Sequence, residues 1–209
     1  SACEVQFDLA AENNIPIVAF DSGTDYQNIV AMIDTDNAAA AATAANHMCG
    51  SMNTEENSEI LLLVHDSKST SAEEREAGFV KAVQEKYPNI KIAATYHLDE
   101  LEEMQELIAG ERAAQSEEND DEEKDEGQEE TPEIKGSDIT QEGVVQYLLE
   151  KHPNVKGIYA TNETCSKLAV GVLDTMEKDD ISVISFDGGE DQLELLEEGE
   201  LSGLIVQNP

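Results

Sequence analysis

The sequence contains 209 residues, with 47 acidic and 12 basic side chains and a formal net charge of -35 at neutral pH. This charge repels phosphate backbones and anionic lipid, so the composition argues against nucleic acid and membrane surfaces as direct partners. The sequence has no apolar run long enough to cross a bilayer and no metal-type spacing of its three cysteines. These properties predict a globular protein with a substantial core.

Strand and helix patterns alternate along the chain. The segments between the apolar runs have helical periodicity, and Asp36 is well placed to cap an alanine-rich helix that follows it. This alternation predicts an α/β fold, a parallel sheet with helices on both faces. The apolar runs that predict strands are residues 15–20, 30–33, 60–64, 90–96, 157–161, 181–186 and 201–206.

The segment 60–88 combines a buried strand, a polar loop and an amphipathic helix. Ser71 and Glu74 have the spacing of a capping box, and Arg75 follows in the first helical turn. Ligands of open α/β sheets bind beyond the carboxyl ends of the strands, where Arg75 offers five fixed donors. The alternative is a solvated arginine paired with a neighbouring glutamate.

Polar residues follow the other predicted strands at the same edge. Carboxylates, amides and a guanidinium together match a ligand whose groups both donate and accept hydrogen bonds, which favours a polyol or sugar. The alternatives are local: Asn162 caps a helix, Asp187 forms a capping box with the residue three positions on, and Asp21 closes a turn. The strand-end set is Asp21, Arg75, Asn162, Asp187 and Gln207.

Six pieces of the chain, in order, carry a family resemblance: IPIVAFDSG, MIDTDNAAAAATAANHM, STSAEEREAGFVKAV, KHPNVKGIYATNE, ISVISFDG and SGLIVQNP. With them the chain resembles the periplasmic sugar-binding proteins of the ribose-binding type, which serve ABC transporters and share their fold with the effector-binding core of LacI-type repressors. The resemblance implies a periplasmic-binding-protein-like type I fold, binding without catalysis, no cofactor, and membrane subunits of a transporter as partners. It also implies an extracytoplasmic location, in the periplasm or as a cell-surface lipoprotein.

The resemblance further implies that the sugar lies between two closing lobes. Ser22 and Leu98 depart from the family pattern, which leaves the identity of the sugar open. The residues that the resemblance places on the sugar are Asp21, Arg75, Asn162, Asp187 and Gln207, with Phe186 packed against the sugar ring.

The same resemblance divides the chain into two parts. Residues 1–35 are predicted to be a remnant of the first lobe with the hinge, and residues 36–209 a nearly complete second lobe. An acidic insertion occupies about residues 100–137, beginning as a helix that carries Leu101, Met104, Leu107 and Ile108 and continuing as a solvated loop. A half-site lacks the closing contacts, so this chain alone is expected to bind a sugar weakly or not at all.

The sequence also allows two other classes of function besides transport. An effector-binding domain of a LacI-type regulator, or a sensor ectodomain, shares the same ligand site. For an enzyme, His65 with Asp66 is the candidate catalytic pair, but the sequence has no nucleophile motif or phosphate loop. The acidic run lacks the ligand spacing of an EF-hand, so no metal site is predicted.

Overall fold

A computed structural model of the chain describes residues 3–21, 24, 26–52, 57–120 and 138–207. Helices and strands alternate through these residues as predicted, with boundaries that differ by a few residues at several elements. Helices α1 to α7 are Glu4–Glu12, Asn37–Ser51, Thr70–Lys86, Leu101–Asp120, Gln141–Lys151, Glu163–Thr175 and Glu190–Glu198. Strands β1 to β7 are Val18–Phe20, Ala31–Ile33, Glu59–Val64, Lys91–His97, Val155–Ala160, Ser182–Asp187 and Gly203–Val206.

The strands form two sheets in the described part of the chain. Five strands pair in the order β4-β3-β5-β6-β7, and β1 pairs with β2 in a separate two-stranded sheet. Every pairing is parallel, so the carboxyl ends of the five strands meet at one edge. The predicted parallel sheet is confirmed.

The five-stranded sheet has an apolar core on each face. Leu61, Leu63 and Ile158 face a core closed by α4, α5 and α6. Leu62 and Tyr159 face the opposite core, which α2 and α3 close. These strands read as continuous apolar runs because both faces are buried. Helices on both faces are therefore confirmed.

Helices α2 and α3 approach closely at Gly78. A Cβ atom at Gly78 would lie 2.5 Å from the carbonyl oxygen and 2.7 Å from the Cα of Ala38. Glycine therefore lets the first turn of α2 lie against α3. This contact places Asn37, the first residue of α2, beside the carboxyl edge of the sheet.

Helix α4 begins the predicted acidic insertion. Ile108 is fully buried and Met104 packs against the core, whereas Leu107 is 46% exposed. The helix predicted at the start of the insertion is confirmed, although Leu107 does not share its buried side. Residues 121–137, on which most of the predicted solvated loop falls, lie outside the described residues.

The amino-terminal unit, formed by α1, β1 and β2, differs from the rest in its exposed apolar surface. Seven of the eleven large apolar side chains that are exposed among the described residues lie between residues 5 and 33. No residue of α1 is buried. The predicted division of the chain at residue 35 into two lobes stays a prediction.

Within the described residues, no helix combines the length and the apolar character that a membrane span requires.

Candidate ligand-binding site

Arg75 lies buried at the carboxyl edge of the five-stranded sheet, with 4% of its surface exposed. Its Nε donates to Oδ1 of Asn37 at 2.9 Å, and its Nη1 donates to the carbonyl oxygen of Thr161 at 2.6 Å and to Oδ1 of Asp187 at 3.2 Å. Arg75 is therefore not the solvated arginine of the alternative interpretation. Within the described part of the chain, Nη2 has no hydrogen-bond partner.

The aromatic ring of Phe186 supports Arg75 from the sheet, and a second aromatic pair lies further along α3. The guanidinium carbon lies 3.9 Å from the ring centroid of Phe186, a cation–π contact. One helical turn further along α3, Phe79 stacks on Tyr159 with a centroid distance of 4.0 Å and an interplanar angle of 10°. Phe186 is fully buried beneath Arg75. Its predicted contact with a sugar ring stays a prediction.

Asp187 ends β6 and is the ionic partner of Arg75. Its Oδ1 also accepts from Nε2 of Gln207 at 2.8 Å, and its Oδ2 accepts from the backbone N–H of Glu163 at 3.2 Å. The side chain is 30% exposed. Asp187 has a φ of 112°, a strained conformation for a residue with a side chain. Strained backbone conformations cluster at active sites and ligand sites, which makes Asp187 a candidate ligand-binding residue.

Two capping predictions are wrong. The cap of α7 is Gly189, whose N–H donates to Oε1 of Gln192 at 3.0 Å, so Asp187 does not cap this helix. Helix α3 begins at Thr70 rather than after Ser71. Glu74 does not form the predicted capping box, and its Oε2 instead accepts from Nδ2 of Asn37 at 3.1 Å.

Asn162 does cap a helix, as the alternative interpretation predicted. Its Oδ1 accepts from the backbone N–H of Cys165 at 2.9 Å at the start of α6. Its Nδ2 has no hydrogen-bond partner among the described residues. The amide therefore uses its oxygen to hold α6 and presents its donor group at the same edge as Arg75.

Gln207 follows β7 and has both ends of its amide engaged. Nε2 donates to Asp187, and Oε1 accepts from Oγ1 of Thr35 at 2.9 Å. The structure thus brings together Arg75, Asp187 and Gln207, which the sequence predicted from three separate strand ends.

Asp21 lies on the other sheet, at the end of β1. Its backbone N–H donates to the carbonyl oxygen of Ile33 at 2.9 Å, and its φ is 69°. Its side chain is exposed and does not join the hydrogen-bonded cluster around Arg75 in the described residues. Leu98 packs against the hydrophobic core, and Ser22 lies outside the described residues.

Three residues of the cluster were not predicted as site residues: Asn37, Thr161 and Thr35. Asn37 is buried, and its position next to the cap residue Asp36 gave no sign of a role beyond helix initiation. Thr161 contributes a backbone carbonyl, which no side-chain pattern reveals. Contacts of this kind depend on which strands are neighbours in the sheet.

His65 and Asp66 do not form a catalytic pair. Nδ1 of His65 lies 2.8 Å from Oγ1 of Thr161, and Oδ1 of Asp66 accepts from the backbone N–H groups of Lys68 and Ser69. Burial and the charge of Arg75 lower the pKa of His65, so the imidazole is neutral at pH 7. Burial raises the pKa of the Cys165 thiol to about 12, which leaves it unreactive as a nucleophile at neutral pH.

The arrangement can hold a small polar ligand at the sheet edge. Arg75 and Asp187 offset each other's charge, and Nη2 of Arg75 and Nδ2 of Asn162 are donors without a hydrogen-bond partner among the described residues. The described residues contain no cluster of three or more histidine, cysteine or acidic side chains able to hold a metal ion. The chemistry of the cluster is hydrogen bonding.

A parallel α/β domain with such a cluster at the carboxyl ends of its strands belongs to the class of ligand-binding domains of open-sheet type. The family model described as "Periplasmic binding protein domain" matches residues 4–209, and the chain belongs to this family. The resemblance to sugar-binding proteins of the ribose-binding type is thereby confirmed at the level of the family.

Curated relatives and solved structures agree with this assignment. The ribose import binding protein of Escherichia coli K12 is 25% identical over 201 residues, which are 96% of this chain and 54% of that protein. The ribose operon repressor of Halalkalibacterium halodurans is 26% identical over 180 residues, 84% of this chain and 40% of the repressor. A carbohydrate transporter solute-binding protein from Agrobacterium radiobacter, solved in complex with D-arabinose, has a TM-score of 0.72 and is 23% identical in sequence. The match covers the whole of this chain and 59% of that protein's chain. The chain spans about half the length of the curated relatives that it matches.

Proposed function

We propose that this chain is the ligand-binding part of an extracytoplasmic solute-binding protein that takes up a monosaccharide or a similar polyol for an ABC transporter, without catalysing a reaction. The observation that carries the proposal is the pair formed by the buried Arg75, which lies on the ring of Phe186, and the partly exposed Asp187, joined at 3.2 Å at the carboxyl edge of the sheet. The residues proposed to contact the ligand are Asp21, Arg75, Asn162, Phe186, Asp187 and Gln207.

The balance of donors and acceptors supports a neutral polyol. The ionised pair compensates its own charge, so a ligand need not bring a charge of its own. A hydroxyl group can accept from Nη2 of Arg75 or Nδ2 of Asn162 and at the same time donate to Asp187. The partly exposed carboxylate of Asp187 is at the same sheet edge as these two donors, and this combination suits a ligand with adjacent hydroxyl groups.

The relatives support a pentose among the candidate sugars. The Escherichia coli relative is named for ribose import, and the Agrobacterium structure holds D-arabinose. Their names also support a transporter as the partner, and the description of the family supports an extracytoplasmic location. D-ribose and D-arabinose are therefore the first two ligands to test.

An effector-binding domain of a transcriptional regulator is the second candidate, supported by the match to a ribose operon repressor. The net charge of -35 argues against this candidate, because so acidic a domain is repelled by the DNA to which a repressor binds. Both candidates use the same ligand site, so the sugar experiment tests what they share.

The test is a titration of the ¹⁵N-labelled chain with D-ribose and D-arabinose, followed by NMR. We expect a sugar to shift the Nε signal of Arg75 and to leave the signal of Arg112, an exposed arginine, unchanged. Weak binding is expected because the chain spans about half of its relatives. If neither sugar moves the Arg75 signal at high millimolar concentration, even in a version of the chain joined to the first lobe that the family predicts, the monosaccharide proposal is wrong.

An Asn162→Asp variant separates the two roles of this residue. Aspartate caps a helix as well as asparagine does, so the hydrogen bond to Cys165 and the stability of α6 are retained. The variant loses the Nδ2 donor, and we expect the sugar response to weaken at an unchanged melting temperature. An unchanged response would assign Asn162 to capping alone.

A further inference from the structure

The connection between β2 and α2 reaches the candidate site at two points. Oγ1 of Thr35 donates to Oε1 of Gln207 at 2.9 Å, and Oδ1 of Asn37 accepts from Nε of Arg75 at 2.9 Å. Gln207 and Arg75 in turn both donate to Oδ1 of Asp187, at 2.8 and 3.2 Å. Thr35, Gln207, Asp187, Arg75 and Asn37 thus form a closed ring of hydrogen bonds, which the backbone through residue 36 completes.

Asn37 has the contacts of a residue that fixes an orientation. It is 3% exposed, and both ends of its amide are engaged, since Nδ2 donates to Glu74 while Oδ1 accepts from Arg75. Its backbone begins α2 directly after the cap residue Asp36, whose Oδ1 accepts from the N–H of Ala39 at 3.0 Å. A buried amide with two partners of defined direction has one stable orientation.

The orientation of Asn37 determines which edge of the Arg75 guanidinium remains free. The guanidinium is planar and rigid, so binding Nε to Asn37 and Nη1 to Thr161 and Asp187 fixes the whole plane. Nη2 is then the remaining donor. Without Asn37, the guanidinium keeps the hydrogen bonds of Nη1 and the contact with the Phe186 ring, but it can rotate in its own plane over that ring.

We propose that Asn37 and Thr35 are positioning residues of the site, through which the connection between β2 and α2 orients Arg75 directly and Asp187 by way of Gln207. Neither side chain is required to touch the ligand. The effect on ligand affinity rests on the function proposed above, whereas the positioning of Arg75 is testable in the ligand-free protein.

The experiment measures hydrogen exchange of arginine Nε–H groups by ¹⁵N NMR in the absence of sugar. The chain contains two arginines, Arg75 and Arg112, so the spectrum has a buried and an exposed signal. We expect slow exchange for Arg75 and fast exchange for Arg112. In Asn37→Ala we expect exchange at Arg75 to accelerate about tenfold or more, the change that the loss of one hydrogen bond produces.

Three variants distinguish positioning from a general structural effect. Asn37→Asp, made together with Glu74→Gln so that two carboxylates do not face each other, keeps an acceptor for Nε and should restore slow exchange. It serves as the test protein if Asn37→Ala fails to fold. Asp36→Ala removes the cap of α2 without touching the ring and should lower the melting temperature while Arg75 stays protected. Thr35→Val should leave Arg75 protected and shift the side-chain amide signals of Gln207.

Several outcomes overturn the proposal. The proposal is wrong if the Nε–H of Arg75 exchanges fast in the parent or in Asn37→Asp, or if it stays protected in Asn37→Ala. It is also wrong if Asp36→Ala accelerates this exchange as much as Asn37→Ala does, or if Thr35→Val leaves the Gln207 amide signals unchanged. A D-arabinose titration of the same variants forms a separate arm. If the exchange results are as expected but no sugar binds even a version of the parent joined to a first lobe, the positioning stands and the proposed function fails.

Discussion

Arg75 illustrates how a buried charge is accommodated. Removing a guanidinium from water is costly unless its N–H groups find acceptors, and here one carboxylate, one side-chain amide and one backbone carbonyl receive them. Lysine could not replace it, because an ammonium lacks the planar fork that binds three acceptors in fixed directions. The residue type follows from the geometry of its partners.

Tyr159 is the opposite case, a buried polar group without a partner. Its hydroxyl oxygen is the buried side-chain atom that lacks a hydrogen bond among the described residues. We expect Tyr159→Phe to raise the free energy of unfolding by about 1–3 kcal/mol, because the variant no longer buries an unsatisfied hydroxyl. Urea unfolding monitored by circular dichroism measures this change.

The matched control for this prediction is Tyr96→Phe. Tyr96 is also buried, but its hydroxyl has a partner, since it donates to Oε1 of Gln141. Its removal leaves that acceptor without its partner, so this variant should be less stable than the parent. Destabilisation by both variants to the same extent would contradict the assignment of an unsatisfied hydroxyl to Tyr159.

At the level of elements, the contact between α2 and α3 depends on Gly78. A Cβ atom there meets backbone atoms of Ala38 at less than 3 Å, and backbone cannot rotate away as a side chain can. We expect Gly78→Ala to lower the free energy of unfolding by about 1–3 kcal/mol. Because the displaced turn carries Asn37, the Nε–H exchange of Arg75 should accelerate as well.

Gly171 in α6 provides the comparison for Gly78. A Cβ atom at this helical glycine meets nothing within 4 Å. Alanine there should stabilise the protein by up to about 1 kcal/mol through its higher helix propensity. Thermal unfolding of the two variants should therefore give shifts of opposite sign, and a gain in stability for Gly78→Ala would show that α2 and α3 separate freely.

His97 links the end of β4 to α3 and makes stability depend on pH. Its Nε2 lies 2.9 Å from Oε2 of Glu76, and its Nδ1 lies 3.0 Å from Oε2 of Glu100. Burial lowers the pKa of His97, but hydrogen bonds to the two carboxylates outweigh burial, and the pKa is raised above 6.5. The stabilisation is therefore complete below pH 6.5 and is lost as the pH rises through the folded-state pKa.

This linkage is measured by the free energy of unfolding of the parent and of His97→Asn between pH 5.5 and 8. The stability difference between the two proteins should be largest at the acid end and should shrink above pH 6.5. A difference that grows as the pH rises would show that His97 is neutral in the folded state.

For the molecule as a whole, the net charge of -35 sets the response to salt. Like charges at this density repel one another in the compact state, and screening at 0.1 M salt limits the repulsion to about 10 Å. We expect the melting temperature to rise by a few degrees between low and moderate sodium chloride, about 1 kcal/mol for a chain of this size.

Potassium chloride at the same ionic strength is the control for this effect. Equal shifts in the two salts indicate screening, whereas different shifts indicate binding of a particular cation. A melting temperature that falls with added salt would contradict the dominance of like-charge repulsion in this protein.

The sequence was sufficient to predict the order of elements, the α/β class and the strand ends at which polar residues gather. These features are local, because the hydrophobic pattern of neighbouring residues shows whether a strand is buried on both faces and whether a helix is amphipathic. The caps were predicted with mixed success. Asp36 and Asn162 cap as expected, but the capping boxes predicted at Ser71 and at Asp187 are absent from the described structure.

The partners of the site residues required the tertiary structure. Arg75 and Asp187 are 112 positions apart, and Thr35 and Gln207 are 172 apart. No periodicity connects such positions, because their contact depends on the strand order β4-β3-β5-β6-β7 and on the close approach of α2 to α3. For the same reason the sequence did not identify Asn37 as a site residue. Asp21 lies at a strand end, as Asp187 and Gln207 do, but its strand belongs to a separate sheet. Local patterns determine which residues arrive at the sheet edge, and the packing of distant elements determines which of them meet.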